Sequence, residues 1–274
     1  MRSWNAAVRL YLDRRILALF ILGFASGLPL LLVYSTLSFW LRQESVSLTE
    51  IGWFSLAGTA YGFKFLWAPL VDHIRIPVLA ARLGQRRSWL LCAQVAVAAT
   101  IVALGATNPG EALTLTAFWA VALAFASATQ DIVVDAFRIE MLDDEEQGSG
   151  AANFVNGYRV GTLAAGAGAL ILADVYGWFW AYAAMATLMV LGMAVTLWLP
   201  EPARLEGPAP TREDWRARFQ NAVVAPFREF MTREHWIVIL VFVAVYKYGD
   251  ALLGAMANPF YADMGFSGTE IAVI

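Results

Sequence analysis

Seven stretches of this chain, 16–41, 50–70, 88–106, 112–137, 151–173, 177–199 and 236–261, are almost wholly apolar and run for 19 to 26 residues each. A helix needs about 20 apolar residues to cross a bilayer core, and only a helix or a closed barrel satisfies its backbone there. The recurrence of that length predicts an all-α, polytopic membrane protein. Composition agrees: 59 % of residues are hydrophobic, 15 % are charged and mean hydropathy is +0.59, whereas soluble domains are about a quarter charged. The N-terminal "MRSWNAAVRLYLDRR" is basic like a signal peptide, but the apolar run after it outlasts a signal-peptide core, so an uncleaved first span is expected.

Short connections such as "TNPGE" and "DVYG" imply antiparallel neighbours. Arginines cluster before the first span (Arg14, Arg15), in the second connection (Arg75, Arg82, Arg86, Arg87) and in the connection from Pro200 to His235, all on one side; the other side holds essentially Arg42. The positive-inside rule makes the N-terminus cytoplasmic. The connection opens "PEPARLEGPAPTRED", rich in Pro and charge, which predicts a linker, with a short interfacial helix in "VVAPFREFM". The expected organisation is a six-helix bundle over 1–199, a cytoplasmic linker over 200–235 and the start of a second bundle over 236–274. "VSLTEIGWF" and "FSGTEIAVI" form an internal repeat, with Glu50 and Glu270 lying 220 residues apart. Each copy opens the helix after a bundle's first span, with a hydroxyl to cap it and an acid in its first turn. Parallel six-helix halves are one transporter plan, so the chain is expected to be a whole first half, a linker and one helix of a second half.

Several chemistries are excluded or lack support. A net charge of −3 does not suit a nucleic-acid binder. One cysteine, Cys92, forms neither an internal disulfide nor a thiolate metal site. No HExxH, GxSxG or Walker loop occurs, His73 and His235 are isolated, and no cofactor, metal or enzymatic activity is expected.

Polar residues at hydrocarbon depth are the informative ones. A charge at the bilayer centre costs at least ~2.5–3.5 kcal/mol on insertion scales, so it must face water or a partner. In "SATQDIVVDAFRIE", Asp131, Asp135 and Arg138 share one helix face, and Asn153, Asn156 and Arg159 make a second polar stripe in the next span. Asp131 and Arg159 are about equally deep from their common loop, and antiparallel neighbours would bring them together. That pair either locks two helices in register or forms part of a cavity wall or proton site. Asp135 and Arg138 are shallower and suit local pairing. Lys64 either snorkels to the surface or faces the cavity. Lys247 and Asp250 lie three apart inside the seventh run, where they can neutralise each other or exchange partners with a proton or substrate. Gly23, Gly27 and Pro29 predict a kink in the first span. Gly157 and Gly161 form GxxxG, a close-packing face.

Asp72, followed by Gly84, Arg86 and Arg87, resembles the signature loop of the major facilitator superfamily, with a longer insertion and with Leu70 where a glycine is usual. Its role would be a cytoplasmic latch, Asp72 pairing with a base or a helix N-terminus of the other half. The alternative is incidental surface pairing. Together "GFASGLPLLL", "KFLWAPLVD", "GQRRSWLL", "SATQDIVVDAFRIEML" and "YKYGDALLGAMANPFY" resemble AmpG-type muropeptide permeases and their relatives, the acetyl-CoA transporters, from about Leu19 to the end. The resemblance implies a bacterial inner-membrane importer of anhydro-muropeptides, coupled to protons and serving cell-wall recycling and, in some bacteria, β-lactamase induction. The alternative within transporters is an acetyl-CoA or other organic-anion carrier; a membrane enzyme or sensor is the reading from another class. For an anionic muropeptide, Arg159, Lys64 and Lys247 would meet carboxylates and Asn153 and Asn156 sugar hydroxyls, with Trp53 or Tyr158 stacking on sugar faces.

Overall fold

The first apolar run folds as two helices, α1 (Arg14–Val33) and α2 (Ser35–Gln43). Pro29 lies inside α1, and the interruption falls later, at Tyr34, whose φ of −104° and ψ of −100° leave the helical region. The break frees the Leu32 carbonyl, which accepts a hydrogen bond from the buried Tyr182 hydroxyl at 3.0 Å. The structure, a computed structural model, describes residues 13–202, 220 and 224–273.

The second run is not one helix. It comprises α3 (Leu48–Phe54), a 3₁₀ turn at Ser55–Gly58, α4 (Thr59–Phe63), a second 3₁₀ turn at Lys64–Leu66 and α5 (Ala68–His73). Hydroxyls explain the first tightening: Ser55 Oγ donates to Gly52 O at 2.6 Å and Thr59 Oγ1 to Leu56 O at 2.7 Å, bonds that compete with the regular ladder. The second turn precedes Pro69, which has no N–H to continue the ladder.

Then follow α6 (Leu79–Leu83), α7 (Gln85–Gly105), α8 (Leu113–Met141) and α9 (Gln147–Leu163). A π-turn at Ala164–Gly168 joins α9 to α10 (Ala169–Tyr176), and α11 (Trp178–Trp198) closes the sixth span. Beyond it lie α12 (Ala225–Met231), where the short helix was expected, α13 (Trp236–Asp263) and α14 (Gly268–Val273). Among the described residues, five helical stretches are long and apolar enough to cross a membrane: Arg14–Gln43, Gln85–Gly105, Leu113–Met141, Gln147–Tyr176 and Trp178–Trp198. Two of these five carry an interruption, at Tyr34 and at the π-turn. The second expected span is segmented, and the seventh is the single helix α13, Trp236–Asp263.

By its contacts the chain divides into two units, Met1–Ala203 with Ala255–Ile274, and Arg204–Gly254. In the first, α9 packs on α1, α7 on α8 and on α11, and α1 also meets α8 and α11. The α1–α9 seam is closed by reciprocal glycines. A Cβ on Gly23 or Gly27 would stand 2.1 or 2.2 Å from the carbonyl oxygens of Phe154 and Tyr158, and one on Gly157 or Gly161 1.9 or 2.2 Å from those of Phe20 and Phe24. Only glycine admits that approach, as the GxxxG spacing predicts.

Two apolar clusters fill the bundle. One holds Leu28, Leu37, Ile101, Leu123 and Tyr182, the other Leu19, Leu90, Val133 and Phe137. Buried polar side chains lie at the level between them. Gln130 Nε2 donates to Ser26 Oγ and Thr196 Oγ1 to Gln94 Oε1, both at 3.0 Å. With no water in hydrocarbon to hydrogen-bond them, such groups tie helix to helix.

The internal repeat is a structural one. Ser45 N donates to Arg42 O and Val46 N to Leu41 O; 220 residues on, Gly265 N donates to Ala262 O and Phe266 N to Tyr261 O, all at 3.0–3.1 Å. Ser45 and Gly265 take the same positive φ, 63° and 86°. Ser47 and Glu50 then form a capping box, repeated by Ser267 and Glu270.

Candidate functional site

Polar chemistry concentrates where α8 faces the segmented second span. The kink between α4 and α5 turns Lys64 toward α8, where Nζ reaches Asp135 Oδ2 at 3.4 Å. Arg138 Nη2 lies 3.9 Å from Asp135 Oδ1, one helical turn along, so Asp135 bridges two cations. Asp131, one turn deeper, lies in the electrostatic field of both Lys64 and Asp135. The local pairing expected of Asp135 and Arg138 is present, and Lys64 joins it. Beside Lys64, the Tyr61 and Ser127 hydroxyls are buried and neighbours, yet among the described residues neither has a partner in good hydrogen-bond geometry. Trp67 Nε1 donates to Thr129 Oγ1 at 3.1 Å and holds the second span against α8.

The expected Asp131–Arg159 pair does not form. Helices α8 and α9 are consecutive and antiparallel, and they meet near their connecting loop, where Arg138 lies 5.8 Å from the Phe154 ring centre. The main partner of α9 is α1. The glycine seam commits that face of α9 to α1, and Arg159 and Asn156 are exposed on another. Asn153 is half-buried and donates weakly to Ile16 O at 3.4 Å. In the second unit, Lys247 is exposed with Nζ 6.0 Å from the Tyr246 ring, while the side chain of Asp250 lies outside the described residues.

The two aromatics expected to stack on sugar are in different places. Tyr158 stands near Asp131 and Tyr61. Trp53, 67 % exposed, lines an apolar cleft of about 460 Å³ with Phe54, Phe63, Trp67 and Phe125.

At the end of the bundle that holds the loop before α7, Arg86 sits between two carboxylates. Its Nη1 donates to Asp72 at 2.5 Å, and Nε and Nη2 grip Glu140 at 2.6–3.1 Å in a bidentate fork. Asp72 thus pairs with a base of its own bundle. Gly84, at φ 89°, lets the chain turn into α7 with Glu201 packed where a side chain would stand. Glu201 accepts from the backbone N–H groups of Arg86 and Arg87 at 2.7 and 3.0 Å, capping α7, while Arg87 returns the favour to α11 through the carbonyls of Thr196 and Leu197. Glu140 and Glu201 are residues the sequence reading did not single out. Both are acids at span ends on the basic side, where counting only bases hides them.

The sequence model of the Major Facilitator Superfamily matches residues 15–274. The chain is 38 % identical over 270 residues to a transporter designated AmpG 4 of Rickettsia felis, covering 97 % of this chain and 64 % of that protein. It is 42 % identical over 269 residues to the anhydromuropeptide permease of Escherichia coli K12, covering 97 % and 52 %. It is 31 % identical over 268 residues to AmpG 3 of Rickettsia typhi, covering 97 % and 64 %. The chain thus spans between half and two thirds of the length of these relatives. With a signature-type loop, membrane-length helices and a match along nearly its whole length, the chain belongs to the major facilitator superfamily.

Proposed function

We propose that the protein works as a secondary transporter of the bacterial inner membrane, importing anhydro-muropeptides with protons for cell-wall recycling. What carries the reading is the 42 % identity to an anhydromuropeptide permease along 97 % of this chain, in a chain that groups Lys64, Asp131 and Asp135 at hydrocarbon depth. Its N-terminus is cytoplasmic, residues 1–199 form the first bundle, 200–235 the linker, and 236–274 begin a second bundle.

Charges kept at that depth need a use or a partner. With Arg138, the group balances two acids, Asp131 and Asp135, against two bases, so a proton or a substrate charge entering it has to change which partners neutralise each other. A substrate carboxylate competing for Lys64 would change which acid is neutralised, linking proton and substrate. Arg159, Asn153 and Asn156 in the first unit, and Lys247 and Asp250 in the second, are further candidates for contact with the substrate. Asp72, Arg86 and Arg87 form the cytoplasmic latch, with Glu140 and Glu201 as its acids.

The test is uptake of radiolabelled GlcNAc–anhydro-MurNAc tripeptide into membrane vesicles containing the protein. Uptake that rises with an imposed inward proton gradient supports the reading. Uptake indifferent to the gradient refutes the coupling. Uptake of acetyl-CoA in place of the muropeptide refutes the substrate.

A further inference from the structure

Hydroxyls in a membrane helix ordinarily bond back to the carbonyl one turn earlier. Those of Thr116, Thr129 and Thr187 do so, to Ala112, Phe125 and Ala183 at 2.8–3.2 Å. Ser127 shares α8 with Thr129 and is 1 % exposed, yet its hydroxyl does not bond back. Like the Tyr61 hydroxyl beside it, it is buried with no partner in good geometry among the described residues. Buried polar groups left unpaired are costly, so this neighbouring pair needs an explanation. Asp131 follows Ser127 by four residues, on the same face of α8. Lys64 and Arg138 both pair with Asp135 rather than with Asp131. Tyr34 stands at the break between α1 and α2, and Gly58, in the first 3₁₀ turn of the second span, leaves room for its hydroxyl where a Cβ would collide. Asp131 is faced by Tyr61 from α4, Lys64 from the turn after it, Asp135 from α8 itself and Tyr158 from α9; Tyr34 faces Tyr61 and Tyr158.

We propose that the Tyr61 and Ser127 hydroxyls hold a water that delivers the transported proton to Asp131, with Tyr34 beside its entry. The proposal rests on the transport reading above and deepens its proton step. The groups suit water: two hydroxyls and a carboxylate supply the three hydrogen bonds that a buried water typically makes. Two interrupted helices meet here, and interrupted helices are how transporters build sites at mid-depth. The side of entry follows from order along the chain. Ser127 lies one turn farther than Asp131 from Glu140, which meets the signature-type loop through Arg86. Tyr34 touches the second span at Gly58, three residues before Tyr61 and farther from that loop still. The proton therefore arrives from the end opposite the loop. It forms a third O–H bond on the water. The water gives one of its other protons to an Asp131 oxygen and is neutral again, while a carboxylate lone pair becomes the new O–H bond. Tyr61 and Ser127 stay protonated throughout, so they are positioning residues.

Two measurements on the full chain test this. In vesicles with an inward proton gradient, Tyr61→Phe and Ser127→Ala, made separately, should each lower the maximal rate of muropeptide uptake at least tenfold and leave KM within twofold. A raised KM at an unchanged maximal rate, or no change in either, overturns the relay and leaves the transport reading standing. The second measurement needs no transport. Infrared spectroscopy follows hydrogen–deuterium exchange of the protonated Asp131 carboxyl after mixing into heavy water, its band assigned by its loss in Asp131→Asn. Each hydroxyl deletion should slow that exchange at least tenfold. Equal rates in the parent protein and both variants, or an Asp131 that shows no carboxylic band at any pH at which the protein is folded, overturn the relay whether or not muropeptide is taken up. Failure of the parent protein to take up muropeptide would sink the transport reading alone, because the exchange rates still decide the relay.

Discussion

The two sides of α1 are built on opposite principles. Toward α9, glycines at 23, 27, 157 and 161 let backbones touch, and no side chain intervenes. Toward α8 the contact is made by side chains, Ser26 with Gln130, and beyond α8 lies the charged group of Lys64, Asp135 and Arg138. Backbone-to-backbone packing has one solution and fixes a helix pair. Side-chain pairs of long, half-exposed groups have several arrangements of similar energy. The seam therefore serves as the frame and the α8 side as the part that can change partners.

The harshest way to break this contrast is Gly157→Val. Its Cβ would meet the Phe20 carbonyl, a backbone atom that cannot swing aside. Overpacking of this kind costs about 3 kcal/mol. Thermal unfolding in detergent should show a large loss of stability or no folded protein at all. A variant that folds normally would mean the seam is not the frame.

Lys64→Gln should do the reverse. Its bond to Asp135 is long and partly exposed, so unfolding temperature should barely move. On the proposed transport reading, in which Lys64 meets the substrate, uptake should fall at least tenfold. Loss of stability together with uptake would make Lys64 structural and erase the distinction between the two sides.

How much of this was legible follows the same division. Segment length and the GxxxG spacing are local, and they foretold the helices around α1 and the α9 face it grips. The Thr-Glu-Ile repeat foretold two equal capping boxes, and Ser45 and Gly265 show the same left-handed turn made with different residues. Partner choice was not local. Asp131 and Arg159 have matching depths on consecutive helices, yet α9 spends its contact face on α1. Nothing in either stripe encodes that order. The breaks in the second span were written in Ser55, Thr59 and Pro69, but an apolar window averages over hydroxyl back-bonding. Glu201 could have been found from its place directly after Pro200, at the end of the sixth span and beside an arginine-rich helix start.

A milder test separates frame from cap. Glu201→Ala removes the acceptor of two N–H groups at the start of α7, and lost caps cost about 1–2 kcal/mol. The loss should appear as a modest drop in unfolding temperature. It should be smaller than that of Gly157→Val and larger than that of Lys64→Gln. The ordering matters more than any single value, since it ranks backbone packing above capping and capping above exposed pairs.

A small effect is expected where the seam runs out. Past Gly161 the glycine pairing gives way to the π-turn, and Thr36 Oγ1 donates to the Ala165 carbonyl at 3.0 Å, fully buried. The π-turn realigns carbonyls that a regular helix would have bonded, and Thr36 satisfies one of them. Thr36→Val keeps the shape and deletes the donor. Interhelical hydrogen bonds in membranes average about 0.6 kcal/mol, so stability should fall by about that much. A loss as large as that of Gly157→Val would mean the seam is held at its end by a side chain, and the clean division between the two sides of α1 would fail there.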